Sequence, residues 1–436
     1  MICGHVHDGD APPKVCPVCG APFPAFQKEC ADPADALRGI EVAESRPAGT
    51  RYVIVGNSAA GRSAGEAIRA LDPNGSVTIV TEEAVPIYAR PLLPDFLGGM
   101  PRDRLLGSGW RFGSDGIEVL NGVRVETIDV AGRGLRTDGG EAISYDYLLL
   151  STGSAPIRIP WPGSDTAGIA YFRTFADAEK IAGMIGGARR AVVVGGGLLG
   201  LEFVRAFLAA EMEVVHLVRE DQVGFPVLDR EGGALLHGAL TELGVRVELE
   251  DEVEGFDSSG GRVSAVRTKK GSVFPCDVVG VAVGARPRTE PARAAGLEVN
   301  RGVLVDRGFR TSAPGVYAAG DVAEAYDRVW GEPRVNTSWR NALEQGRLAG
   351  AAMAGGKVEY EGSIAANYQL TAGLPFCSIG IGSYPPSEEF GAERRYDPEG
   401  RSYRKLVTRG GRLVGATLIG DLSEAAEIEE QVKGGQ

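Results

Sequence analysis

The spacing of apolar residues along the chain changes character several times, and each change predicts a different element. Residues 51–83 (RYVIVGNSAAGRSAGEAIRALDPNGSVTIVTEE) run as a short apolar stretch, a glycine turn, a helical pattern and a second apolar stretch. That order predicts strand, turn, helix, strand, which is one βαβ unit. The same order returns at residues 191–221 (AVVVGGGLLGLEFVRAFLAAEMEVVHLVRED). Between the two, residues 118–153 alternate short strands with turns, and KLVTRGGRLVGATLIG (405–420) reads as a hairpin in a small α+β tail that begins near Val358. Residues 1–30 are punctuated by Gly4, Gly9, Pro12, Pro13, Pro17, Gly20, Pro22 and Pro24, too often for a long helix. Residues 31–49 show no clear period and read as a linker with one helical turn at most.

The two glycine turns carry candidate chemistry. A pair of phosphates sits well at a helix N-terminus, where free backbone N–H groups and the helix dipole meet its charge. The first turn presents Gly56, Ser58 and Gly61, with serine where a middle glycine is usual; the second is complete, with Gly195, Gly197 and Gly200. One such motif is weak, but two copies about 140 residues apart, each after an apolar strand, predict two dinucleotide-binding domains. The ribose of the first nucleotide is expected at Glu82, at the end of the next strand, with Glu83 as its alternative. At the matching place in the second unit stand Arg219 and Glu220; an arginine suits a 2′-phosphate and an acid a free 2′-hydroxyl, so NADH and NADPH both stay open.

Composition narrows the class. The chain has 436 residues, too many for one ordinary core, and a formal net charge of -12, which argues against a sequence-independent grip on nucleic acid or on an anionic membrane. No apolar run long enough to span a bilayer and no secretory signal order is present, so a cytoplasmic location is the expectation. Three of the six cysteines, Cys3, Cys16 and Cys19, cluster at the start with Cys30 close behind, which is metal-site usage.

Taken together, VIVGNSAAG, IYARPLLPDFLGG, LLLSTGS, VVVGGGLLGLE, VGVAVGARP, TSAPGVYAAGDVAE and YEGSIAANYQLTAGLPFCSIG, in this order, resemble the two-dinucleotide FAD/NAD(P) reductases. The nearest branch is that of the NADH:rubredoxin oxidoreductases and related NADH oxidases. The resemblance covers about residues 50–430. It implies an α/β fold with two Rossmann-like domains, one for FAD and one for NAD(P), a small C-terminal α+β domain and an N-terminal rubredoxin-like metal ribbon. The boundaries expected are 1–30 for the ribbon, 31–49 for the linker, 50–156 and 285–357 for the two parts of the FAD domain, 157–284 for the NAD(P) domain and 358–436 for the tail.

At matched positions the resemblance assigns Arg90 and Pro91 to the flavin-facing Arg-Pro, Thr152 and Gly153 to the family's Thr-Gly, and Asp321 to the acid that holds the FAD ribityl chain. Glu202 is similar to a residue lining the nicotinamide pocket, and Gly284 lies in the VGVAVGARP segment. Arg90 as a surface charge, Asp321 as a helix N-cap and Glu202 as an ordinary first-turn acid are the structural alternatives. Disulfide reductases of this fold carry a redox cysteine near the flavin, whereas here AAGRSAGEAIRA and EEAVPIYARPLL contain none, and Cys377 reads as a core thiol. Electrons must then leave the flavin for another acceptor, with no side-chain acid or base required.

The head, MICGHVHDGDAPPKVCPVCGAPFPAFQ, resembles the rubredoxin-like domain of rubrerythrins, in which two CxxC hairpins hold one iron. The second hairpin is intact at Cys16 and Cys19; the first survives as Cys3, its partner falling before Met1. A natural chain that starts earlier, completion by Cys30, His5 or His7, or a damaged site would each account for this. Iron and zinc both suit such sulfur ligands. The expected acceptor is the head itself or a rubredoxin or rubrerythrin partner, reached across a 19-residue flexible linker of roughly 25 Å root-mean-square span; an NADH oxidase with oxygen as acceptor, and a redox-sensing flavoprotein scaffold with a zinc docking head, are the alternatives. A homodimer contact through the tail is possible on this reading.

Overall fold

In the computed structural model the chain is described at residue 16 and over residues 37–106, 116–384 and 387–435. Arg51–Val55, with four of its five residues buried, is the centre of a five-stranded sheet. It pairs in parallel with Ser76–Thr81 on one side and Tyr147–Leu150 on the other; Ile117–Asn121 and Val316–Ala318 extend the sheet in parallel at its two edges. The β-branched and leucine-rich stretches suit strands covered on both faces.

The helix Ala59–Leu71 covers this sheet and is itself covered by the helix Trp339–Met353. Gly346 and Gly350 make that second contact possible: a Cβ at either would lie 2.1 Å from Ala60 O or 2.3 Å from Ala64 O. The helices therefore meet backbone to backbone. This brings their starts, which follow Ser58 and Ser338, to the same end of the sheet.

A second parallel sheet has the order Arg246–Glu248, Glu213–Leu217, Arg190–Val194, Val278–Val281, Ile169–Ala170. The chain enters this unit and leaves it through Ser154–Pro156 and Ala285–Pro287, which pair antiparallel. The tail is a five-stranded antiparallel sheet backed by the helix Ala425–Gly434, and the expected hairpin is present as Ser402–Arg409 and Arg412–Ile419. The mixed α/β architecture with two dinucleotide-type sheets is as anticipated.

From Leu37 on, the linker departs from expectation. Leu37 is 5% exposed and packs with Ala67 and Ala351. Val42 bridges Gly356, and the amides of Ala43 and Glu44 both donate to Gly355 O, at 3.0 and 3.2 Å. Arg46 Nε donates to Met353 O at 2.9 Å, and its guanidinium lies 4.4 Å from the centre of the Tyr147 ring. Residues 37–46 are thus held along the helix pair, and the span of 19 free residues does not apply. Most of these ties run through the backbone, which leaves no mark in the hydrophobic pattern. Among the described residues, no helix is long and apolar enough to cross a membrane.

Candidate functional site

Both glycine turns close in the same way. Gly56 and Gly195 sit at φ +113° and +114°, and a Cβ at either would strike a carbonyl oxygen of the neighbouring strand's continuation, Ser151 at 2.3 Å and Ala282 at 2.2 Å. A Cβ at Gly61 would lie 1.8 Å from Gly56 O, and one at Gly200 1.9 Å from Gly195 O. The outer glycines are therefore demanded by the turn itself. The middle position is not: a Cβ at Gly197 would meet only Phe225 O at 3.7 Å, ordinary contact. Serine at position 58 is accommodated for the same reason.

The first turn opens on a cavity of about 660 Å³ lined by Glu82, Arg124, Thr152, Asp321, Arg90, Glu202 and Gln369, among others. Ser58 makes no capping bond; its Oγ instead accepts from Arg90 Nε at 3.0 Å. Arg90 is no surface charge. Its Nη1 donates to the Tyr88 hydroxyl at 3.0 Å and to Arg173 O at 2.9 Å, while Nη2 pairs with Glu83. Pro91 follows in the same short turn, Arg90–Leu92.

These contacts separate the two candidate acids. Tyr88 donates to Glu83 at 2.6 Å. Burial raises the Glu83 carboxyl, but Arg90 and Tyr88 outweigh it and hold the group below the usual carboxylate range. Glu83 is engaged internally. Glu82 is partly exposed at the cavity wall and paired with Arg288.

Asp321 caps no helix. It is 8% exposed and accepts from Ser154 Oγ at 2.8 Å and from Arg173 Nη2 at 2.5 Å. Thr152 Oγ1 donates to Arg288 O at 2.9 Å, and Gly153, at φ +71°, accepts the Arg288 amide at 2.9 Å. Gly284 has φ +113° just before Ala285, which lines the cavity. Arg173 was not among the residues anticipated. The signal available was its place directly before the capping box of Thr174 and Asp177, which starts the helix Phe175–Ile185 and pins that junction.

Glu202, one turn into the helix Leu198–Ala209, is more than an ordinary helix acid. It accepts from Arg205 Nε at 2.9 Å and from Gln369 Nε2 at 2.6 Å, and Arg205 reaches Asp95 at 3.1 Å. Burial raises its carboxyl, against the opposing pull of Arg205 and Gln369. Arg219 and Glu220 lie outside this cavity on the surface, paired at 2.7 Å, so that each neutralises the other.

The cavity also suits a large, partly anionic cofactor. Its lining includes carboxylates, two helix starts and Asn57, whose buried Oδ1 at the first turn has no partner. No cysteine among the described residues lines it. Cys276 and Cys377 are buried elsewhere, and burial pushes both thiols up to about 12. Of the expected metal ligands, Cys16 is buried, and Cys3 and Cys19 lie outside the described residues.

Comparison with known proteins agrees with this geometry. Residues 50–346 match the pyridine nucleotide-disulphide oxidoreductase family, residues 1–27 the rubredoxin-like domain of rubrerythrin, and residues 370–436 the C-terminal domain of rubredoxin NAD+ reductase. The chain is 32% identical over 392 residues to the NAD(P)H nitrite reductase of Bacillus subtilis (strain 168), covering 88% of this chain and 47% of that protein; it spans about half the length of that relative. It is 35% identical over 303 residues to the ferredoxin-NAD(+) reductase component of the biphenyl dioxygenase system of Paraburkholderia xenovorans (strain LB400), covering 69% and 74% of the two chains. Its fold matches the reductase in the covalent putidaredoxin reductase-putidaredoxin complex with a TM-score of 0.82 at 26% identity, over 89% and 94% of the chains. The chain belongs to the pyridine nucleotide-disulphide oxidoreductases, flavoprotein oxidoreductases that use FAD and NAD(P)H, and it carries a rubredoxin-like N-terminal domain of the kind that binds iron.

Proposed function

We propose that the protein is an NAD(P)H oxidoreductase whose electrons go to a rubredoxin-type iron centre, in its own head or in a rubredoxin or rubrerythrin-like partner. The observation that carries this reading is the lack of a cysteine around the cavity among the described residues, in a chain whose first 27 residues match a rubredoxin-like domain. With both described thiols in the folded reductase body buried and protonated, no disulfide relay is available there, and the electrons need an external or appended acceptor.

When bound, FAD accepts hydride from NAD(P)H and can release the electrons singly. The chain's own residues bind, orient and enclose it. Gly56, Ser58 and Gly61 hold the backbone amides of the first helix start open for phosphate oxygens, and Glu82 accepts from ribose hydroxyls. Asp321, fixed by Ser154 and Arg173, is set to accept from the ribityl hydroxyls, with Thr152 and Gly153 shaping the wall beside it and Arg90 with Pro91 closing the flavin side. Gly195, Gly197, Gly200 and Gly284 serve the second dinucleotide in the same manner, with Glu202 beside the nicotinamide and Arg219 with Glu220 at the adenosine ribose. Cys3, Cys16 and Cys19 are the head's metal ligands on this reading.

Turnover under NADH and NADPH with oxidised rubredoxin, a two-iron ferredoxin and dioxygen as acceptors tests the assignment. Rubredoxin is expected to be reduced fastest. Faster reduction of oxygen or of the ferredoxin overturns it.

A further inference from the structure

Glu82 and Arg288 line the same cavity from stretches of the chain 206 positions apart, and their side chains form an ion pair. Glu82 follows directly on the strand Ser76–Thr81. Arg288 follows directly on Ala285–Pro287, the strand by which the chain returns from the second sheet. Its backbone is fixed there. Ala285–Pro287 pairs with Ser154–Pro156, and just beyond that pair the Arg288 amide donates to Gly153 O while its carbonyl accepts from Thr152 Oγ1, both at 2.9 Å.

Neighbouring charges leave this pairing to the two residues. Glu290, two positions on, is paired with Arg286 at 3.5 Å, and Arg124, which also lines the cavity, faces Glu126 and Asp138 at 3.8 and 4.0 Å. Arg288 Nη1 donates to one carboxylate oxygen of Glu82, Oε1. The carboxylate has a second oxygen, and the side chain is 45% exposed, so it stays within reach of a ligand in the cavity. An ion pair this exposed adds little to folding. It does remove rotamer freedom from Glu82 before a ligand arrives, freedom that binding would otherwise have to take away.

We propose that Arg288 is a positioning residue for FAD: by holding Oε1 of Glu82 it keeps the carboxylate turned so that its other oxygen accepts from the hydroxyls of the adenosine ribose. The inference rests on the reading that Glu82 meets that ribose. Arg288 acts through Glu82 and not on the flavin. Its locked backbone is what makes the hold reliable, because the guanidinium is carried from a fixed point beside Thr152 and Gly153.

The test is titration of the full-length protein, stripped of flavin, with FAD in four variants: Glu82→Ala, Arg288→Met, Arg288→Lys and the double variant Glu82→Ala with Arg288→Met. Glu82→Ala is expected to weaken FAD binding about tenfold or more, and Arg288→Met about fivefold. Arg288→Lys, which keeps a cation beside Glu82, is expected to stay within about twofold of wild type. The double variant is expected to bind within about twofold of Glu82→Ala, because the arginine has nothing left to hold. Thermal midpoints of the flavin-free proteins are expected to differ by no more than a few degrees, which separates this role from one in folding. Unchanged affinity in Arg288→Met overturns the proposal, as does a loss that Arg288→Lys shares in full or one of the same size in the Glu82→Ala background. Full FAD affinity in Glu82→Ala overturns the reading of Glu82 itself, and this inference with it.

Discussion

Arg90 Nε donates to Ser58 Oγ at 3.0 Å, which joins the flavin-side arginine to the one position where the first glycine turn departs from its usual pattern. The serine that breaks the motif is therefore an anchor for a nearly buried guanidinium that also holds Glu83, Tyr88 and the Arg173 carbonyl. Ser58→Gly restores the glycine pattern but leaves a buried N–H without its acceptor. We expect FAD affinity to fall by about tenfold, consistent with the loss of one hydrogen bond to a charged group. Titration of the apoprotein with FAD, followed by flavin fluorescence, checks this; unchanged or tighter binding would show that the serine is only tolerated.

Arg173 and Asp321 form the second pair that shapes the cavity. Arg173→Met leaves a carboxylate at 8% exposure with Ser154 as its one remaining partner named at the site. The expected outcome is loss of flavin on gel filtration and a stability loss of a few kcal/mol. The double variant with Asp321→Asn should lose less than the two single variants summed, because the first change leaves a charge that the second removes. Additive losses would mean that the pair is not coupled.

How much of this was legible follows from the range of each contact. The glycine turns were readable because their requirements are local: Gly61 against Gly56 and Gly200 against Gly195 are contacts five residues apart. The choice between Glu82 and Glu83 was not, since it depends on where Tyr88 and Arg90 turn after the strand has ended. Arg173 meets Asp321 across 148 positions and Gln369 meets Glu202 across 167, so no pattern within one element could pair them. Residues 37–49 read as free linker because backbone hydrogen bonds to Gly355 carry no hydrophobic period.

The helix seam offers a test of packing apart from chemistry. Gly350→Ala puts a methyl group 2.3 Å from Ala64 O, and neither backbone can yield without moving its helix. A loss of about 1–3 kcal/mol is expected, seen as a Tm lowered by several degrees, together with weaker FAD binding because the two helix starts shift. Thermal unfolding monitored by circular dichroism and by flavin release would report both.

His216 gives the fold a pH dependence of definite sign. Its ring is fully buried, Nε2 donates to Gly195 O at 2.9 Å, and burial lowers the imidazole to about 4. Above the unfolded value of about 6.5 both states are neutral and the full stability is present. As pH falls toward 4 the unfolded chain takes up a proton that the folded chain refuses, so stability declines, by on the order of 3 kcal/mol at the lower end. Urea midpoints measured from pH 7.5 to 4.5 should show a smaller decline in His216→Gln than in wild type; parallel curves would remove His216 from the account.

The central claim is that nicotinamide electrons pass through the flavin to a rubredoxin-type iron, and rapid mixing of the iron-loaded full-length protein with NADH or NADPH under anaerobic conditions tests it most directly. The account predicts bleaching of the flavin followed by loss of the ferric-thiolate absorbance, in the head itself or in added rubredoxin. A flavin that bleaches while both iron centres stay ferric would contradict it.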